Sequence, residues 1–386
     1  MVKNMKVPFP FRGNEYNMKD LGNLLQILQG DYGSKWKPIN EFENAFADYV
    51  GSKYAVACSS GTTALHLALK SLDLKPGDEV ITSPLTWVAT SNMVLLEGAK
   101  PVFVDIDPDT LNLDPGLIKE RVTNRTKAIM PVYLAGNPAP LEDIAAIALG
   151  NNLKVVADAA QAVGAKYGES RVGSGNLEDL ACFSFHTQKN MSTLGEGGMI
   201  TSNNPDFVKT MRLYANHGIE YSDMKGEVSK QPWYRDCVVV GYNYRMSEGQ
   251  AIVGLSQLAQ IDAVNSKRRH MVSLYNNYLR DVPGLKLPVE TSSAQSSWHL
   301  YIIQVGKEFG MSRDDLHLKL KGEGIGTSVH YTPVYFFKPY QEMGYKKGIC
   351  PNAEKVYDKI LSLPLAPCMG DSDIYAVIRA IRDAKG

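Results

Sequence analysis

From Tyr54 to Asp158 short apolar runs alternate with amphipathic ones, and this alternation restricts the fold more than any other feature of the chain. Tyr54-Ala55-Val56-Ala57 predicts a buried strand, and residues 62–72 a helix with Leu65, Ala68, Leu69 and Leu72 on one face. The pattern continues with a strand at 79–82, a helix at 89–97, strands at 101–105 and 128–132, a helix at 141–149 and a strand at 154–158. Such a sequence of elements predicts an α/β domain with a mainly parallel sheet covered by helices on both faces. Ligands of these sheets sit beyond the carboxyl ends of the strands. Asp105, Asp158 and the Ser59-Ser60-Gly61-Thr62 turn all fall there.

The flanking regions are less regular. Pro8, Pro10, Gly13, Gly30 and Gly33 leave the first forty residues with little strand character, and a helix follows at 40–49. After Met246 a long helical connector is predicted from Ala251 to about Tyr278. A second α/β portion then has strands at 298–305 and 327–331 and helices at 313–321, 352–360 and 371–384. The division expected is a large domain over 1–250 and a connector helix with a small C-terminal domain over 251–386.

Lysine and arginine balance aspartate and glutamate at 41 each, so the basic footprint of a nucleic-acid binder is missing. The five cysteines (Cys58, Cys182, Cys237, Cys350, Cys368) form no CxxC pair, which argues against a metal site or a disulfide framework. With no apolar run of signal-peptide or membrane-spanning length, the expectation is a soluble cytoplasmic protein with neither nucleic acid nor membrane as partner.

Chemistry concentrates in Phe183-Ser184-Phe185-His186-Thr187-Gln188-Lys189-Asn190, followed by Gly195-Glu196-Gly197-Gly198. A lysine kept in a dry pocket loses proton affinity and becomes a candidate nucleophile; the plainer reading is a surface lysine at a strand end. Ser59 to Thr63 joins a strand to a helix N-terminus, a place suited to a phosphate, where Ser and Thr are also ordinary caps. Asp158 is either an N-cap or the anionic partner of a protonated ring nitrogen, with Gln161 one helical turn further on. Trp87, beyond another strand end, is either a core aromatic or one that stacks on a ring. A phosphate cup, a stacking aromatic, a ring-nitrogen carboxylate and a reactive lysine are together what a pyridoxal 5'-phosphate site requires.

In that order they carry a resemblance. The chain resembles the DegT/DnrJ/StrS family of sugar aminotransferases in residues 54–67, 78–84, 98–107, 158–164, 183–198, 241–246 and 325–333. The resemblance implies a fold-type I pyridoxal-phosphate-dependent transferase: an α/β large domain with a mostly parallel central sheet plus a smaller C-terminal α/β domain. It matches Lys189 to the Schiff-base lysine, Asp158 to the pyridinium partner, Gln161 to the O3' contact and Ser184 to a phosphate contact. It also matches Gly61 and Thr62 to the phosphate cup and Trp87 to the ring-stacking position. Asn243 matches an asparagine that reaches the cofactor phosphate from the neighbouring subunit, which implies a homodimer with shared sites. His330 matches a residue near the substrate, against the plainer reading of a strand histidine at a surface, and His186 is read as structural.

Lysine at 189 favours transamination over the dehydration carried out by relatives with histidine there. The cysteine sets of relatives with an iron–sulfur cluster are missing. The implied reaction moves an amino group, with L-glutamate as the expected donor, to a nucleotide-linked keto-sugar through a Lys189 Schiff base and pyridoxamine phosphate. Two alternatives stay open: a glutamine-dependent scyllo-inosose aminotransferase, which shares all these motifs, and a non-catalytic cofactor-binding regulator. One stretch departs from the pattern. Residues 33–39 replace the Thr/Gly-Pro-rich turn that shapes the substrate entrance in relatives.

Overall fold

The computed structural model describes residues 5–10, 12–30, 36–220, 233 and 235–385. At its centre lies a seven-stranded sheet of β1 (Tyr54–Cys58), β2 (Glu79–Thr82), β3 (Lys100–Phe103), β4 (Thr126–Met130), β5 (Lys154–Asp158), β6 (Leu180–Ser184) and β7 (Gly198–Ser202). The order is β1-β7-β6-β5-β4-β2-β3. The pairs from β6 to β3 are parallel, and β7 runs antiparallel to both β1 and β6.

Residues along each strand alternate between two cores, because successive side chains point to opposite faces. Ala57, Ile81, Ile129 and Val155 face α2 (Lys37–Val50) and α5 (Leu141–Gly150), whereas Val56, Val80, Met130 and Val156 face α3 (Gly61–Ser71) and α4 (Ala89–Leu96). The first core is stapled by aromatics: Phe46 is wholly buried, with ring centroids 5.0 Å from Phe183 and 5.7 Å from Phe185. Truncating a phenylalanine so placed costs roughly 3–5 kcal/mol. This packing holds the strand that leads into Lys189.

A second, antiparallel sheet joins β8 (Leu285–Lys286), β9 (Tyr301–Val305) and β10 (Ile360–Leu363) in the order β8-β9-β10. Its core includes Tyr275, Tyr301, Leu316, Leu361 and Ile378.

Several elements differ from expectation. An N-terminal helix, α1 (Met18–Leu28), was not foreseen; Asn17 opens it with a capping box to Asp20. The connector is two helices, α6 (Glu248–Leu258) and α7 (Ile261–Leu279), broken so that α6 packs on α1 and α2 while α7 continues to the small sheet. Strand β9 starts at Tyr301 rather than Trp298, since the N–H groups of Ser297 and His299 donate to the carbonyls of Gly136 and Ala135. Residues 327–331 form only one bridge, Ser328 to Ser362, instead of a strand. The helix expected over 352–360 stops at Tyr357, and Ile360 opens β10 opposite Gln304. Residues 33–35 of the divergent stretch lie outside the described residues; Trp36 caps α2 and Lys37 begins it. Among the described residues no helix is long and apolar enough to cross a membrane, and no cluster could hold a metal ion.

Candidate active site

At the carboxyl ends of β1, β2, β5 and β6 a cavity of about 490 Å3 is lined by Gly61, Thr62, Trp87, Asp158, Gln161, Ser184, Lys189 and His330. Eight residues singled out from the sequence therefore share one enclosure, although they span 270 positions of chain from Gly61 to Lys189 and on to His330.

The β1–α3 junction supplies one wall. Ser60 is the N-cap: its hydroxyl oxygen accepts from the Thr63 N–H, and the Thr63 hydroxyl accepts from the Ser60 N–H. The capping reading thus holds for Ser60 and Thr63. It leaves the N–H groups of Gly61 and Thr62, in the first turn, without intrahelical acceptors at the positive end of the helix. Gly61 is required by close approach, since a Cβ there would lie 2.6 Å from Cβ of Ser184.

Asp158 ends β5 but does not cap a helix, because residues 159–164 form turns. Correspondingly, Gln161 is brought to the cavity by turns and not by a helical turn. The buried Asp158 carboxylate accepts from the Thr90 hydroxyl (2.7 Å) and from the Ala160 N–H (3.2 Å). With the Thr90 hydrogen directed at Asp158, the Thr86 hydroxyl donates to Thr90 at 2.8 Å, giving a relay from α4 into the carboxylate. Burial raises the carboxyl's pKa, while the bonds from Thr90 and Ala160 and the charge of Lys189 oppose the rise.

Lys189 sits in the turn after β6, its N–H donating to the carbonyl of His186. Its amine has no hydrogen-bond or ion-pair partner among the described residues. Burial lowers its pKa to about 8, against the pull of Asp158 and Glu196 toward the charged form. The surface-lysine reading fails on that burial. The loop is held from behind by Gly13, whose N–H donates to the carbonyl of Thr187 and whose own carbonyl accepts from buried Arg268 (2.6 Å). A Cβ on Gly13 would meet the Lys189 carbonyl oxygen at 1.8 Å, so only glycine fits.

Trp87 lines the cavity yet is 60% exposed, so it is no core aromatic; its ring lies 6.0 Å from that of Tyr331. The Gln161 side-chain oxygen accepts from the Ala135 N–H (2.7 Å), and its amide nitrogen donates to the Tyr331 hydroxyl (3.0 Å). His330 is half-buried, with Nδ1 2.8 Å from the Ser362 hydroxyl; burial and the charge of Lys189 push its pKa down to about 4. His186 also lines the cavity, 3.9 Å from Glu196. Thr90, Glu196 and Tyr331 were missed from the sequence. Thr90 lies one helical turn beyond Thr86, and Tyr331 directly follows His330, but neither spacing distinguishes a site residue from an ordinary one.

Asn243 is not brought to this cavity. It is exposed, on a segment fixed where the Tyr244 carbonyl accepts from the Ser59 N–H and Asn216 bridges Asn243.

A model of the DegT/DnrJ/EryC1/StrS aminotransferase family matches residues 15–382. The spore coat polysaccharide biosynthesis protein SpsC of Bacillus subtilis is 39% identical over 386 residues, covering 99% of this chain and 98% of SpsC. Among solved structures, S. venezuelae DesV in complex with a ketimine intermediate superposes with a TM-score of 0.86 at 33% identity, covering 95% of this chain and 94% of DesV. Helicobacter pylori PseC, an aminotransferase involved in the biosynthesis of pseudoaminic acid, gives a TM-score of 0.89 at 27% identity, covering 98% of this chain and 99% of PseC.

Proposed function

This chain belongs to the DegT/DnrJ/EryC1/StrS aminotransferase family of pyridoxal-phosphate-dependent enzymes, and we propose that it transfers the amino group of L-glutamate to the ketone of a nucleotide-linked sugar. The observation that carries this reading is an unpaired, half-buried lysine amine sharing a cavity with a buried carboxylate. Names of similar proteins that refer to polysaccharide and pseudoaminic acid biosynthesis support a sugar acceptor.

The residues fit pyridoxal 5'-phosphate. The first-turn N–H groups of Gly61 and Thr62 lack intrahelical acceptors, the missing Cβ of Gly61 lets Ser184 pack beside them, Asp158 offers an acceptor, and Lys189 offers a free amine. When bound, the cofactor supplies an aldehyde that captures amines and a protonated ring that takes up an electron pair. Lys189 would hold it through its amine, Gly61, Thr62 and Ser184 would hold its phosphate, Trp87 would cover a ring face, and Gln161 would face the ring oxygen.

Asp158 would hold a proton on the ring nitrogen, aimed by the Thr90 and Ala160 bonds, which also oppose the rise that burial gives its pKa. With a pKa of about 8, the free Lys189 side chain exists as both amine and ammonium near neutral pH. It can therefore take a proton from the donor's α-carbon and return one, as general base and then acid. His330, held neutral, offers a hydrogen bond to the substrate without adding a second cation beside Lys189. Asn243, exposed and outside its own cavity, completes the phosphate site of a second copy, so that the working form is a cytoplasmic homodimer.

The test is 2-oxoglutarate formation from glutamate with a nucleotide-linked keto-sugar, comparing wild type and Lys189→Ala. The variant should lose both activity and the absorbance of the lysine-bound cofactor. Unchanged activity would overturn the assignment of Lys189, and turnover of scyllo-inosose in place of the nucleotide sugar would overturn the substrate.

A further inference from the structure

The wall of the cavity formed by Gln161 and Tyr331 has a fixed hydrogen-bond polarity. Amide oxygen and nitrogen are told apart by their partners. The Ala135 N–H can only donate, so the Gln161 atom 2.7 Å from it is the oxygen. The nitrogen then faces Tyr331 and donates to its hydroxyl at 3.0 Å. Having accepted that bond, the Tyr331 hydroxyl has its own hydrogen left to donate, and no acceptor for it exists among the described residues. Tyr331 lines the cavity, as does Gln161. The amide nitrogen carries a second hydrogen that also lacks an acceptor among the described residues.

Burial and the charge of Asp158 raise the pKa of the Tyr331 phenol, against the smaller opposing effect of the Gln161 hydrogen bond, so it is a protonated donor throughout the neutral range. This wall thus presents two donor hydrogens without acceptors among the described residues, whereas Asp158, which lines the same cavity, can only accept when ionised. A ligand that satisfies both must carry a proton toward Asp158 and an electron-rich oxygen toward Gln161 and Tyr331.

We propose that Tyr331 is a positioning residue that locks the Gln161 amide and adds its own O–H as a second donor to an anionic oxygen of the bound cofactor ring. This rests on the cofactor reading given above and assigns a role to a residue outside it. Its consequence is spectroscopic. Two donors on an oxygen favour its deprotonated form, so removing one raises the pH at which that oxygen loses its proton.

Tyr331→Phe keeps the aromatic ring that meets Trp87 and removes only the hydroxyl. The experiment titrates the absorbance of reconstituted holoenzyme with pH for wild type, Tyr331→Phe, Gln161→Leu and the double variant. Each single variant should raise the midpoint by about one pH unit, and the double variant by less than the sum, because Tyr331 acts partly through Gln161. An unmoved midpoint in Tyr331→Phe, or a change confined to the KM for the sugar, overturns the proposal while leaving the cofactor reading intact. A wild-type holoenzyme with no Lys189-dependent absorbance takes both down. Should Tyr331→Phe fold poorly by thermal midpoint, Gln161→Leu carries the test, with an unmoved midpoint again decisive against the pair.

Discussion

Asp105 and Asp158 stand at the carboxyl ends of two strands of one sheet, each after an apolar run, yet they do different things. Asp105 accepts from the N–H groups of Asn352 (2.7 Å), Ala353 (2.9 Å) and Ile106 (2.9 Å), and so caps α8 (Pro351–Tyr357) from the far side of the chain. Its oxygens are used by protein. Asp158 receives one hydroxyl and one N–H, and its remaining lone pairs face the cavity. A strand-end carboxylate is thus a ligand site only when nothing of the chain folds over it.

Asp158 carries the largest expected effect. Asp158→Asn keeps size and removes charge, and should lower kcat by about 100- to 1000-fold, the effect of losing a buried charged partner, with little change in thermal midpoint. A fall below tenfold would make Asp158 a structural acid like Asp105. The next effect is in pH. Cofactor capture by the apoprotein needs the neutral Lys189 amine, so its rate should rise with pH through about 8 and level off above. Because the Asp158 anion favours the ammonium form, Asp158→Asn should move that midpoint lower, and stopped-flow absorbance would reveal a shift the other way. The smallest effect on turnover belongs to Asp105→Ala. Losing a helix cap should cost about 1–2 kcal/mol in a urea unfolding curve while kcat stays at the wild-type value. A large drop in kcat there would erase the distinction.

How much of this was legible varies with the kind of interaction. The alternating elements could be read because apolar periodicity is local, and β1 to β5 lie where it put them, to within a few residues. The α1 helix was missed although Met18, Leu21, Leu25 and Leu28 stand at helical spacing, because the prolines and glycines around it suggested loop. The run at 327–331 looked like a strand, but only Ser328 finds a backbone partner, and His330 and Tyr331 turn to the cavity instead. Among site residues, Lys189, Asp158 and Gly61 stand in distinctive local runs. Thr90 and Tyr331 do not, since their roles come from partners 68 and 170 positions away.

Side-chain spacing and backbone preference were enough to place the alternating strands and helices of the central sheet and the residue types at their strand ends. Only the tertiary structure decided which strand end stays open, why Gly13 and Gly61 cannot carry a Cβ, and that Gln161 and Tyr331 face the cavity as donors. Those outcomes depend on how far-separated backbones approach each other, to within a few tenths of an ångström, and on which lone pairs the fold leaves unused.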